Sequence, residues 1–165
     1  MFLKGENNMS MKIYRQAIET LKEIRNLRCG SVHSEQVIAR AEKLLKIKFS
    51  PQERDYLSNF GYFELFGVEL YGIVDEDFSM DKNSYEGCMV EWALSEREKN
   101  NLNHNYIPLR FGDDGEMIFL DHSCLNDEGE PRTIIGTDNG NGYVFTEELT
   151  NDLGEYLLWV ADEEG

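Results

Sequence analysis

Histidines, cysteines and clustered carboxylates carry most protein chemistry, and this sequence has few of the first two and many of the third. His33, His104 and His122 stand far apart, with no H-E-x-x-H or other paired spacing that would set two ligands on one helix face. No histidine metal site is expected. The Asp-Gly-rich loops raise the question of calcium, but an EF-hand loop needs a glutamate at its twelfth position. Counted from Asp113 that residue is Cys124, and from Asp138 it is Leu149. Gly140-Asn141-Gly142 runs into Tyr143-Val144-Phe145, which breaks G-x-G-x-x-G, and the chain holds no G-x-x-x-x-G-K-S/T to cradle a phosphate.

Asp121-His122-Ser123-Cys124 contains the residue types of a nucleophilic site. In an extended run, however, neighbours face opposite sides of the strand and do not converge. Paired carboxylates of the glycosidase kind stay open, because Asp75, Glu76, Asp77, Asp113, Asp114 and Asp121 offer many combinations. With 32 acidic residues in 165, chance supplies such pairs cheaply. The expectation is therefore no enzyme, no catalytic residue, no metal and no cofactor. Cys29, Cys88 and Cys124 are odd in number and form no C-x-x-C pair, so they read as free thiols of a reducing compartment. The first eight residues lack a signal peptide's apolar stretch, and no apolar run approaches the ~20 residues that span a bilayer. The expected location is the cytoplasm, with no membrane contact.

The formal charge of −16 is unevenly distributed. Residues 1 to 60 carry 11 basic and 7 acidic side chains, whereas residues 61 to 165 carry 5 basic and 25 acidic ones. A field of that sign disfavours direct nucleic-acid binding and speeds the approach of a cationic protein. It also serves solubility, and charge alone does not separate the two roles.

The length suits one domain, and 41% hydrophobic residues suffice to bury a core. Ile13, Ala17, Ile18, Leu21, Ile24 and Leu27 predict a helix from Ser10 to about Arg28, ended by Gly30. Val37, Ile38, Ala41, Leu44 and Leu45 predict a second, from Ser34 to about Lys46. Ser50-Pro51-Gln52-Glu53 has the form of a capping box and opens a third, to Phe60, with Gly61 as its stop. Residues 64 to 73 then alternate around Gly67 as extended pieces joined by a turn. After a loop from Val74 to about Asn83, Ser84 is a candidate cap for a helix to Asn101. Tyr106 to Phe111, Glu116 to Asp121 and Pro131 to Gly136, separated by glycine-rich turns, predict a three-stranded antiparallel meander. Residues 136 to 142 read as a loop, after which Thr146 caps a last helix carrying Leu149, Leu153, Tyr156, Leu157 and Val160. Helices first, strands next and a helix last predict the α+β class, with a mainly antiparallel mixed sheet packed by N-terminal, middle and C-terminal helices.

The run from Val37 to Pro51, then Tyr56-Leu57, Phe60-Gly61 and Leu65 to Ile73, resembles the opening of the SUKH superfamily. Ile107-Pro108-Leu109, Gly112-Asp113-Asp114-Gly115, Ile118 to Asp121 and the Gly129-Glu130-Pro131 turn continue the likeness to about residue 160. The order and spacing of these pieces carry it. The chain departs from the family pattern in a helical N-terminal extension and in an extra segment near residues 84 to 103. The division expected is a frayed terminus over 1 to 10, a helical extension over 11 to 33 and one SUKH-like domain over 34 to 165.

The resemblance implies an immunity protein of bacterial polymorphic toxin systems, which binds and neutralises a cognate toxin, frequently a nuclease. A minority of the family are intracellular regulatory or scaffold modules, and this is the alternative. A nuclease inhibitor gains by placing carboxylates where phosphates would sit. The candidate partner contacts are therefore the turn and loop acids Asp75, Asp77, Asp113, Asp114, Glu128 and Glu130, with Tyr71 and Tyr106 as aromatic anchors. Each has a plain structural reading too: the acids as turn formers, the tyrosines as core.

Overall fold

The computed structural model describes residues 8–78 and 87–164. Helix α1 (Met9–Lys22) is capped two residues ahead of the expected Ser10, by Asn8, whose side chain accepts from the Met11 amide at 2.9 Å. It buries Tyr14, Ala17, Ile18 and Leu21. The helix is shorter than its apolar spacing predicts, because successive tight turns, Leu21 to Ile24 and Ile24 to Leu27, take over after Lys22. They deliver Ile24 and Leu27 to the core without a helix. Arg28–Cys29 then form a strand, β1, instead of the helix end, and Gly30 donates to the Tyr62 carbonyl.

Helices α2 (Glu35–Leu45) and α3 (Pro51–Asn59) follow their local signals closely. Ser34 caps the first and the left-handed Lys46 ends it. The second has the full capping box, with Ser50 N donating to Glu53 Oε2 at 2.8 Å and Glu53 N to Ser50 Oγ at 3.3 Å. Strands β2 (Phe63–Leu65) and β3 (Val68–Leu70) complete a three-stranded antiparallel sheet with β1. Helix α4 (Met89–Asn100) begins at Cys88, and the Ser84 cap lies outside the described residues.

The second sheet is a four-stranded antiparallel meander of β4 (Tyr106–Phe111), β5 (Glu116–Leu125), β6 (Pro131–Asp138) and β7 (Tyr143–Thr150). Strand β7 corrects the expected helix start at Thr146. Alternate residues Tyr143 and Phe145 pack on the rings of Phe119 and Tyr106, so pairing with β6 wins over local helix preference. Leu149 consequently belongs to the sheet, and α5 (Leu153–Glu164) starts at Asp152, whose carboxylate accepts from the Glu155 amide at 2.9 Å. Among the described residues all strand pairs are antiparallel, and one isolated parallel bridge joins Gly72 to Cys88. The α+β class is as expected.

One hydrophobic core runs through both sheets and all five helices, from Tyr14 to Ala161. Helix α1 is therefore part of the domain and no appendage to it. It lies so close to α5 that a Cβ on Gly154 would come within 2.8 Å of Tyr14 Cα. Gly154→Ala should force the two helices apart and cost about 1–3 kcal/mol, read as a lowered midpoint in urea unfolding.

Candidate interaction surface

The eight candidate contacts fall into three environments. Glu128 and Glu130 both bond within the protein, Glu130 from a buried position and Glu128 from a half-exposed one. They sit in the β5–β6 turn, where Asn126 Oδ1 accepts from both their amides at 2.9 and 3.0 Å. Glu128 reaches the first turn of α1, accepting from Met9 N and Ser10 N at 2.7 Å each. Glu130 is fully buried and accepts from Gln52 N at the start of α3, at 3.2 Å. Each carboxylate thus meets amides that a helix leaves unpaired, at the end where its dipole favours negative charge. Burial takes Glu130 off the surface, which corrects it as a partner contact, while Glu128 stays half-exposed with its carboxylate engaged to α1.

Around Glu130 lies a buried polar network. The Gln52 side chain donates to the Ser10 carbonyl at 2.9 Å and accepts from Gly154 N at 2.8 Å. His122 Nε2 sits 2.8 Å from Glu53 Oε1, and Arg132 Nε donates to the buried Asp121 at 2.9 Å. Asp121 also accepts from Ser123, so the Asp-His-Ser run is divided, with His122 engaged to α3 and Asp121 to its own strand and β6. Burial pushes the Glu130 carboxyl up to about 7, against hydrogen bonds from Ser50 and Gln52, and the charges of Glu53 and Asp152 add to the rise. For His122, burial favours the neutral ring, but the adjoining Glu53 carboxylate outweighs it and the pKa is raised.

The tyrosines are structural. Tyr71 is buried, stacked on Trp92 with ring centroids 6.0 Å apart and edge-on to Phe111 at 5.8 Å. Its phenol is pushed above its ordinary range by burial and by Glu69. Its amide donates to the Leu109 carbonyl at 2.7 Å, which joins β3 to β4 and so ties the two sheets together. Half-buried Tyr106 stacks on Phe145 at 3.9 Å.

The remaining acids face solvent or nearly so. Asp75 is half-buried and accepts from the Asp77 amide, shaping the loop before Phe78, and Asp77 is exposed. Asp113 and Asp114 are exposed in the β4–β5 turn, where Glu116 N donates to the Asp113 carbonyl. Neither enters any ion pair among the described residues. Beside them Gly67, Val68, Glu69, Tyr71, Arg110, Phe111 and Asp113 line a shallow cavity of about 300 Å³. Of the candidate contacts, the structure brings only Tyr71 and Asp113 together there. Phe111 was missed because it alternates with core residues Ile107 and Leu109 and reads as a core position, yet it is 48% exposed.

These features define a small α+β domain held by a buried polar clamp, with an acidic, partly aromatic surface at its hairpin ends. The family model SUKH_5, described as SMI1-KNR4 cell-wall, matches residues 14–162, and the chain belongs to this SUKH family. The match begins within α1, in keeping with that helix's place in the core. A crystal structure of a protein from Pseudomonas syringae pv. tomato has the same fold, with a TM-score of 0.54 and 11% identity over 92% of this chain and 96% of that one. No curated protein matches the chain. Among the described residues no helix is long and apolar enough to cross a membrane.

The network gives a pH dependence of definite sign. Between about 4.5 and 7 the folded protein holds a Glu130 proton that the unfolded chain has lost, so stability falls as pH rises through that window. The His122–Glu53 pair acts in the same direction, stabilising fully below the unfolded histidine's pKa and fading as pH rises through the raised folded value. Chemical denaturation should show stability declining from pH 5 to 8. Glu130→Gln, which keeps the acceptor for Gln52 N, should flatten the decline and exceed the parent at pH 8 by on the order of 2 kcal/mol. Glu128→Ala should cost about 1 kcal/mol through the lost cap on α1, measured the same way.

Proposed function

We propose that this protein is a non-catalytic immunity protein, acting in the bacterial cytoplasm, that binds and neutralises a cognate toxin carrying a cationic nuclease domain. Family membership makes protein interaction the natural role of the fold. The observation that carries the finer reading is the unneutralised acidity of the hairpin end. After residue 60 the chain has only five basic side chains. Three of them are turned to internal use: Arg97 donates to the His104 carbonyl, Arg110 to the Tyr156 hydroxyl, and Arg132 to Asp121 and Glu148. Asp113 and Asp114 are left exposed with no cation within ion-pair distance among the described residues.

Carboxylates presented in this way suit the Lys and Arg side chains with which a nuclease grips phosphate. Exposed charges contribute to encounter rate more than to the final affinity, since solvent and salt screen them. The shaped aromatic surface beside them must supply the rest.

Co-expression with the toxin gene adjacent to this one should protect cells, and the two proteins should co-purify. Unchanged killing without co-purification would refute the reading, whereas stable binding to a housekeeping protein in a host lacking toxin genes would favour a regulatory module. In stopped-flow association at low salt, Asp113→Lys with Asp114→Lys should slow association by about tenfold and weaken its salt dependence.

A further inference from the structure

The turn between β2 and β3 has two residues, since Leu65 pairs directly with Val68. Both of them, Phe66 at φ 49° and Gly67 at φ 81°, lie in the left-handed region. This is the pattern of a type I′ hairpin, in which the first position is normally Asn, Asp or Gly because a side chain there crowds the backbone. A bulky aromatic in that position is strained.

Four other non-glycine residues among those described have positive φ, and each has a local reason. Lys46 and Asn101 end helices α2 and α4. Asp114 precedes Gly115 in a turn suited to it. Phe78 is buried, with the Arg40 guanidinium 5.4 Å from its ring centre. Phe66 has no such compensation. It is 54% exposed, stacks on no other described ring and is not packed on the core.

Exposed Val32, Leu125, Val144 and Trp159 are single apolar residues on ordinary backbone and need no special account. Phe66 differs from them in strain and in setting. Its turn partner Gly67 and the next residue, Val68, line the cavity shared with half-exposed Phe111 and with Asp113. An exposed aromatic at the turn that borders a shallow hollow, a second one lining that hollow and an acidic margin have the make-up of an interface centre with its rim.

We infer that Phe66 is the hydrophobic anchor of the toxin interface, its ring entering an apolar pocket on a cationic protein whose basic margin meets Asp113 and Asp114. The occupant is chosen by charge, because Asp113 and Asp114 enter no ion pair among the described residues and Arg110, which lines the same hollow, is turned to the Tyr156 hydroxyl. The inference rests on the immunity reading above, and its test separates the two.

Full-length Phe66→Asn and Phe66→Gly both relieve the turn and remove the ring. Each should raise the melting temperature by about 2–4 °C while weakening binding to the purified toxin domain encoded by the adjacent gene by roughly 30-fold or more. The loss should lie in the dissociation rate, in contrast to the association-rate effect of the paired aspartate reversals. Failure of the wild-type protein to bind that domain would overturn the immunity reading and the anchor with it. Wild-type binding that both variants keep within threefold would overturn the anchor alone. A lowered melting temperature in both variants would show the ring to be structural and would likewise overturn it.

Discussion

The buried Gln52 amide is the point on which the rest of the structure depends. Its backbone N–H holds the Glu130 carboxylate, its side-chain nitrogen holds the carbonyl of Ser10, and its side-chain oxygen receives Gly154 N. One residue thus fixes the starts of α1, α3 and α5 and the β5–β6 turn relative to one another. A side-chain amide has a donor and an acceptor, and with both used it tolerates burial that would otherwise cost 1–3 kcal/mol per orphaned group. Glu128 extends the clamp to α1, so a single five-residue turn closes the amide ends of two helices.

Such a clamp concentrates carboxylates where water is scarce. Glu53 and Asp121 meet this with His122 and Arg132, opposite charges within hydrogen-bond distance. Among the described residues Glu130 has no cation so placed, and it is left to helix amides and a raised pKa. The cost of burial falls on Glu130, whose carboxyl is pushed up.

How far the chain could be read from sequence follows the range of the forces involved. Helices α2 and α3 were legible because Ser34 and the Ser50–Glu53 box act within four residues. Strand β1 was not, since Arg28 and Cys29 become a strand only by pairing with Glu64 and Phe63. Strand β7 was hidden in the same way, and the true start of α5, Asp152 followed by Glu155, was a capping signal overlooked for Thr146. The candidate site shows the same division. The exposure of Asp113 and Asp114 was legible because a tight polar turn presents its own side chains to solvent. Glu128 and Glu130 occupy a turn of similar composition, yet their carboxylates reach helices 119 and 78 residues away, which composition does not encode. The sign that pointed to Phe66 was present as a misfit, an aromatic where a two-residue hairpin asks for Asn or Gly.

A strained turn persists only if its surroundings determine it more strongly than it resists. The three-stranded sheet supplies this from three directions. The buried Tyr56 hydroxyl holds the carbonyls of Leu70 and Tyr71 at 2.9 and 2.8 Å, the Tyr71 amide ties β3 to β4, and β1 pairs along β2. With Leu65 and Leu70 fully buried on either side, a one-residue slip to relax Phe66 would turn those side chains out of the core. The register is therefore fixed by the interior, and the turn is left with a shape chosen elsewhere. The strain at Phe66 is thus borne by the packing of the strands on either side of it, and the turn cannot relax by changing register.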